Sequence, residues 1–245
     1  MDVAADAVCF ASARDLARQI RSRQVSAREV MTAFLAQISR LNPDLNAIVA
    51  KLDDEDCLAL ADKADRALGN GGQIGPLHGL PTAFKDMEPA VGFPQSKGSP
   101  IFKSFMPETD SVLVERVRRA GAIPIGKTNV SELAMGSQSY NKVYGTTRNP
   151  YDRSKTAGGS SGGAAAALAS GMLPIADGGD LGGSLRNPAN FNNVVALRPS
   201  VGLVPQAPTA IPFTRASVGF PISRSRSCMS LKAPNHFQYS PGRPR

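Results

Sequence analysis

One stretch, from Ala157 to Pro188, constrains this 245-residue chain more than any other. It contains two serine motifs rich in glycine, GGSSGG at 158–163 and DLGGS at 180–184. Glycine tolerates positive φ angles and lets another group approach the backbone N–H groups closely. Between the motifs, an alanine-rich run favours a helix and a short apolar run suits a buried strand. The order of loop, helix, strand and loop predicts that Ser160 and Ser184 lie close together, beside free N–H groups.

A serine hydroxyl is a weak nucleophile unless a neighbouring base takes its proton. The chain has only two histidines, His78 before a turn-like Gly-Leu-Pro and His236 near the C-terminus, so a Ser-His-Asp triad is the weaker interpretation. A lysine kept neutral by burial is the other solution, and Lys85 is a lone cation at the end of an apolar segment. A glycine- and serine-rich loop taken alone is more often a turn or a linker.

Together, GGSSGG, DLGGSLRNPA and the lysine of FKD resemble the amidase signature family of serine hydrolases. The resemblance runs from about Ala11 to Ile222, through TNVSELAMGS, GTTRNPYD and LRPSVGLVP. It implies that Ser184 is the nucleophile, that Ser160 follows a cis peptide bond and relays the proton, and that Lys85 is the general base. It also implies an α/β fold, with a mixed β-sheet flanked by helices on both faces.

The resemblance assigns further roles around the nucleophile. Backbone N–H groups of Leu181, Gly182 and Gly183, with that of Ser184 itself, are expected to form the oxyanion hole. The remaining implied residues support the site or lie near the substrate: Ser161, Asp180 and Arg186 hold the loops, and Ser137 is a candidate substrate-binding residue. No cofactor and no metal ion is implied.

Other patterns predict the framework around these motifs. Ser12 and Ser26 are placed to cap two helices, and Ser26 with Glu29 forms a capping box. Cys57 to Leu68 is predicted as a third helix. The segment 121–128 matches the phosphate-loop pattern GxxxxGK[ST], but its variable positions are apolar and a helix precedes it, so a strand is the better interpretation.

Composition limits the partners and the compartment. The net charge is +8, but five of these charges lie in residues 223–245, which have no acidic residue, so no specific nucleic-acid partner is predicted. Three widely spaced cysteines indicate neither a disulfide framework nor a metal site. No segment reads as a signal peptide or a membrane span, and we expect a cytoplasmic protein without a membrane partner.

The resemblance ends near Ile222, and the family domain continues for roughly as many residues again. We therefore divide the chain into an amidase signature part, 1–222, and a basic tail, 223–245, predicted to be disordered. The sheet is expected to be incomplete on its C-terminal side, with open edges that favour homo-oligomers.

The predicted function is hydrolysis of a small carboxamide. Two alternatives remain open: the glutaminase subunit of a tRNA-dependent amidotransferase, and a catalytically inactive fragment. Asn187 favours a stand-alone amidase over the glutaminase, because glutamine at that position is associated with the transamidation subunits.

Overall fold

A computed structural model describes residues 7–200, residues 203–204 and the backbone of a strand at 217–223. The predicted tail therefore lies outside the described residues, apart from Ser223 at the end of that strand.

Three helices of two turns or more lie in the N-terminal part of the described chain. Helix α1, Ala13–Arg21, begins after Ser12, whose side chain accepts a hydrogen bond from the Asp15 N–H. Helix α2, Ala27–Leu45, has the complete capping box that the sequence predicts. Helix α3, Asp54–Gly69, begins three residues earlier than predicted, with Asp53 at the N-cap position but without a capping hydrogen bond from its side chain.

A three-stranded mixed sheet lies beside these helices. Its strands are β1 (Ile48–Val49), β2 (Pro81–Lys85) and β3 (Ile123–Thr128), in the order β1-β3-β2. Strand β2 is parallel to β3 and β1 is antiparallel to it. Helix α4, Val112–Arg119, precedes β3 and is capped by Ser111. Strand β3 covers the GxxxxGK[ST] match, so the strand interpretation is confirmed.

Helices cover both faces of this sheet, as predicted. Successive strand residues point to opposite faces. Ala83 belongs to the core cluster that includes α2, whereas Phe84 packs in a second cluster with Leu113 and Val117 of α4. Lys85, two residues after Ala83, is therefore directed to the α2 side of the sheet.

Short elements lie on either side of α4 and β3 in the sequence. Two 3-10 turns cover Pro100–Phe102 and Glu132–Ala134. Strands β4, Tyr140–Asn141, and β5, Gly145–Thr146, form a small hairpin.

The glycine-rich serine stretch forms the last part of the described fold. Helix α5, Gly162–Ala169, is buried along its whole length, which explains why it is built from small and apolar residues. Strand β6, Ile175–Asp180, pairs antiparallel with strand β7, Ser217–Ser223. Thr82 Oγ1 donates a hydrogen bond to the Ile175 carbonyl at 3.2 Å, which places β6 beside β2. Helix α6, Arg186–Phe191, follows the second serine motif.

Within the described ranges, no helix is both long and apolar enough to cross a membrane.

Candidate active site

Lys85 is the last residue of β2 and its side chain is buried at the end of the strand. Its Nζ donates hydrogen bonds to the Ser160 Oγ at 2.7 Å and to the Gly179 carbonyl at 3.4 Å. Burial lowers the pKa of the Lys85 amine to about 8, against the opposing effect of Asp177, Glu88 and Asp180. A substantial fraction of this amine is therefore neutral near pH 8, as a general base requires.

Ser160 lies in the turn that leads into α5. It is 1% exposed, and the Gly159–Ser160 peptide bond is cis, as the resemblance implies. Ser139 supports this turn: its Oγ donates to the Ser160 carbonyl at 3.3 Å and accepts from the Gly162 N–H at 2.8 Å. The hydroxyl of Ser160 is thus held against Lys85 by the backbone around it.

Ser184 is half-buried in the turn that follows β6. The N–H of Ser161 donates to the Ser184 carbonyl at 3.3 Å, and the Ser161 Oγ donates to the Gly179 carbonyl at 3.4 Å. The two serine motifs are therefore neighbours, as their order in the sequence predicts. Among the described residues, no hydrogen bond joins the Ser184 hydroxyl to that of Ser160.

The Asp180 carboxylate is buried inside the turn that carries Ser184. It accepts hydrogen bonds from three backbone N–H groups, those of Gly183, Leu185 and Arg186, at 2.8, 3.1 and 3.3 Å. The Arg186 guanidinium adds two more at 2.9 and 2.8 Å. Burial alone would raise the pKa of Asp180, but the hydrogen bonds from Arg186 and the backbone hold it well below its usual range. Asp180 is therefore charged at neutral pH and shapes this turn.

The backbone N–H groups near Ser184 are not equivalent. That of Gly183 is already engaged by Asp180, whereas those of Leu181, Gly182 and Ser184 have no hydrogen bond to another described residue. Gly183 has a φ of +133°, a conformation that glycine adopts far more easily than other residues. The oxyanion role of Leu181, Gly182 and Gly183 stays a prediction.

Ser137 is exposed on the loop that covers the Ser160 turn. Ser131 holds this loop through its Oγ, which donates to the carbonyls of Gly136 and Gln138. A Cβ on Gly159 would lie 2.6 Å from the Gln138 nitrogen, so the loop rests directly on the serine turn. Ser137 is therefore close enough to the turn to remain a candidate for substrate binding.

Two residues of the site are not apparent from the sequence. Ser139 lies between the TNVSELAMGS and GTTRNPYD motifs and belongs to neither. Asp177 directly follows the short apolar run and lies within β6, and its Oδ1 accepts from the Lys85 backbone N–H at 2.8 Å. A carboxylate among buried strand residues was the available signal for Asp177, since such groups are rarely buried without a partner. No cluster of three His, Cys, Asp or Glu residues in the described part could hold a metal ion.

The family profile described as Amidase matches residues 29–230 of the chain. The chain belongs to the amidase signature family. A curated relative from Cyanothece sp., named as a subunit of glutamyl-tRNA(Gln) amidotransferase, is 44% identical over 195 residues, which are 80% of this chain and 40% of the relative.

Solved structures of the family agree with this membership. A bacterial aryl acylamidase of the amidase signature family is 32% identical with a TM-score of 0.80, covering 88% of this chain and 45% of that one. A fatty acid amide hydrolase is 26% identical with a TM-score of 0.84, covering 92% of this chain and 40% of that one. The chain thus spans less than half the length of these relatives.

Proposed function

We propose that this chain carries the catalytic residues of an amide hydrolase that acts on a small carboxamide. The observation that supports the proposal is the buried hydrogen bond between the Lys85 Nζ and the Ser160 Oγ, beside the turn of Ser184. Burying a lysine amine beside a neutral hydroxyl costs free energy, so packing alone does not explain why residue 85 is a lysine. A proton-transfer role accounts for both its identity and its depressed pKa.

The proposed reaction proceeds through an acyl-enzyme on Ser184. Neutral Lys85 accepts the proton of the Ser160 hydroxyl while Ser160 takes that of Ser184, and the Ser184 oxygen attacks the amide carbon. The tetrahedral intermediate then breaks its C–N bond, and the proton held by Lys85 returns through Ser160 to the leaving nitrogen. Water attacks the acyl-enzyme with the same relay, which releases the carboxylate and restores Ser184.

The backbone N–H groups at 181–184 are the proposed donors to the oxyanion. Losing one such donor in an enzyme costs about 100-fold or more in rate. Because Gly183 N–H already donates to Asp180, we assign the larger share to the N–H groups without a described partner, those of Leu181, Gly182 and Ser184.

Labelling with a fluorophosphonate serine probe tests the proposal directly, with the modified residue identified by mass spectrometry. We expect labelling of Ser184 that disappears in Ser184→Ala and in Lys85→Met, which keeps the length of the side chain and removes the amine. Lys51→Met is the matched control, because Lys51 pairs with Asp54 and not with a serine. Folded wild-type protein without labelling would contradict the proposal.

The rate of labelling should depend on pH through Lys85. Its pKa is lowered to about 8, and only the neutral amine can accept a proton, so the rate should rise as pH increases through about 8. A flat profile between about pH 6 and 9 would exclude Lys85 as the base.

A second candidate is the glutaminase subunit of a tRNA-dependent amidotransferase. It is favoured by the 44% identity to the Cyanothece sp. protein of that name. Comparing ammonia release from glutamine with release from other small amides separates the two candidates. A preference for glutamine favours the glutaminase, and a preference for other carboxamides favours the stand-alone hydrolase.

A further inference from the structure

Asp177 is a buried acid that the proposed reaction does not use. It lies in the middle of β6 and is 3% exposed. Its Oδ1 accepts the hydrogen bond from the backbone N–H of Lys85 at 2.8 Å, while its Oδ2 is buried without a hydrogen-bond partner in the described part of the chain. A carboxylate oxygen left unpaired in the interior is costly, so this acid calls for an explanation beyond packing.

Charged groups from three other segments face this acid. Lys85 reaches it from β2, Glu88 from the segment that follows β2, and Lys127 from β3. Lys127 is fully buried, donates to the Glu88 carbonyl, and also interacts with Asp86 and with Arg118 of α4. From β6 itself, Asp180 is the other carboxylate that acts on Lys85. Asp177 therefore belongs to a buried group of charges that interacts with Lys85.

We propose that Asp177 is a positioning residue for Lys85: its carboxyl group holds the end of β2 through the Lys85 N–H, and its charge sets the proton affinity of the amine. The functional consequence rests on the proposed role of Lys85 as general base. Asp177 itself touches no reacting atom and acts through Lys85.

The sign of the coupling follows from the charges. An ionised Asp177 stabilises the ammonium form of Lys85 and so opposes its action as a base, whereas a protonated Asp177 favours the neutral amine. Burial and Glu88 raise the pKa of Asp177 to about 7, although the Lys85 N–H, Lys127 and the Lys85 amine act to lower it. Both groups therefore change charge in the same pH range, and each affects the other.

The experiment is a pH titration of the Lys85 side chain by NMR, with ¹³C-labelled lysine and with the Lys85 signal assigned from its absence in Lys85→Met. In Asp177→Asn the amide oxygen still accepts the Lys85 N–H but the negative charge is gone. We expect the pKa of Lys85 to fall by about one unit. The pH at which Ser184 labelling reaches half its maximal rate should fall by the same amount.

Asp86→Asn is the matched control. Asp86 is also a fully buried acid and is adjacent to Lys85 in sequence, but its carboxylate accepts from Ser96 and Gly98, and it is not among the groups that act on Lys85. Its replacement should leave the titration of Lys85 unchanged. An unchanged Lys85 pKa in Asp177→Asn, or an equal fall in both variants, would overturn the proposal.

A reciprocal measurement covers the case in which Asp177→Asn does not fold. The coupling is mutual, so in Lys85→Met the pKa of the Asp177 carboxyl, followed by its own ¹³C signal, should rise by about one unit. No rise would refute the coupling. Neither titration needs a substrate. If the variants show the coupling but the wild-type protein is not labelled, only the proposed function is contradicted. If the wild-type protein is labelled but the variants show no coupling, only this inference is contradicted.

Discussion

Gly163 lies in the first turn of α5, where helix propensity and tertiary packing make opposite predictions for Gly163→Ala. Propensity favours alanine over glycine by about 1 kcal/mol in a helix interior. In the structure, a Cβ on Gly163 would lie 2.6 Å from the carbonyl oxygen of Ala47 and equally close to that of Asn129, with the Asn129 nitrogen also in contact. Atoms of the backbone cannot rotate away as the end of a side chain can, so α5 itself must move.

The size of the effect follows from what that movement breaks. Overpacking a buried site costs about 1–3 kcal/mol. The Gly163 N–H donates to the Asn129 carbonyl and the Asn129 N–H to the Ala47 carbonyl, at 3.2 and 3.0 Å, and leaving one buried N–H unpaired costs about 1–3 kcal/mol more. After subtracting the propensity gain, we expect Gly163→Ala to lower the free energy of unfolding by about 3 kcal/mol.

Urea denaturation followed by circular dichroism measures this difference. The matched control is Gly69→Ala at the end of α3, where a Cβ would have no neighbour within 4 Å, and we expect no loss or a gain of up to about 0.5 kcal/mol there. Movement of α5 should also separate Ser160 from Lys85 and slow Ser184 labelling in the folded variant. A Gly163→Ala protein at least as stable as wild type would refute the close approach of α5 to Asn129.

Three further predictions concern the turns of the site and strand β6. Asp180→Asn deprives two backbone N–H groups of their acceptor and should lower the free energy of unfolding by about 3 kcal/mol at pH 7. The pKa of Asp180 is lower in the folded than in the unfolded protein, so the stabilisation by its carboxylate is complete above about pH 4 and is lost as pH falls further. The difference in free energy of unfolding between Asp180→Asn and wild type should therefore shrink only below that pH. Ser139→Ala leaves the buried Gly162 N–H unpaired and should cost about 1–2 kcal/mol in urea denaturation, whereas an unchanged midpoint would show that this N–H finds another acceptor. Gly179→Ala should be tolerated because its Cβ would lie 3.7 Å from the Lys85 Nζ, while Gly178→Ala, 2.5 Å from Leu185, should destabilise the protein; equal thermal midpoints would contradict this contrast.

Features that depend on local chemistry could be predicted from the order of residues. The capping box of α2 and the strand ending at Lys85 are of this kind, because caps and short apolar runs act through neighbouring residues. The paired serine motifs also predict a close approach of two segments, since glycine lets another group come close to the backbone. Boundaries are harder to predict: helix α3 begins at Asp54, three residues before its predicted start.

How these parts meet depends on long-range packing. Nothing local indicates that Asp177 binds the Lys85 N–H, since 92 residues separate them and only the adjacency of β2 and β6 brings them together. The same holds for Gly163, whose lack of a side chain is set by Asn129 on another segment and not by its own helix. Burial decides the chemistry of Lys85 as well, because its pKa depends on the water and charges that the folded chain leaves around the amine, and these are properties of packing and not of sequence order.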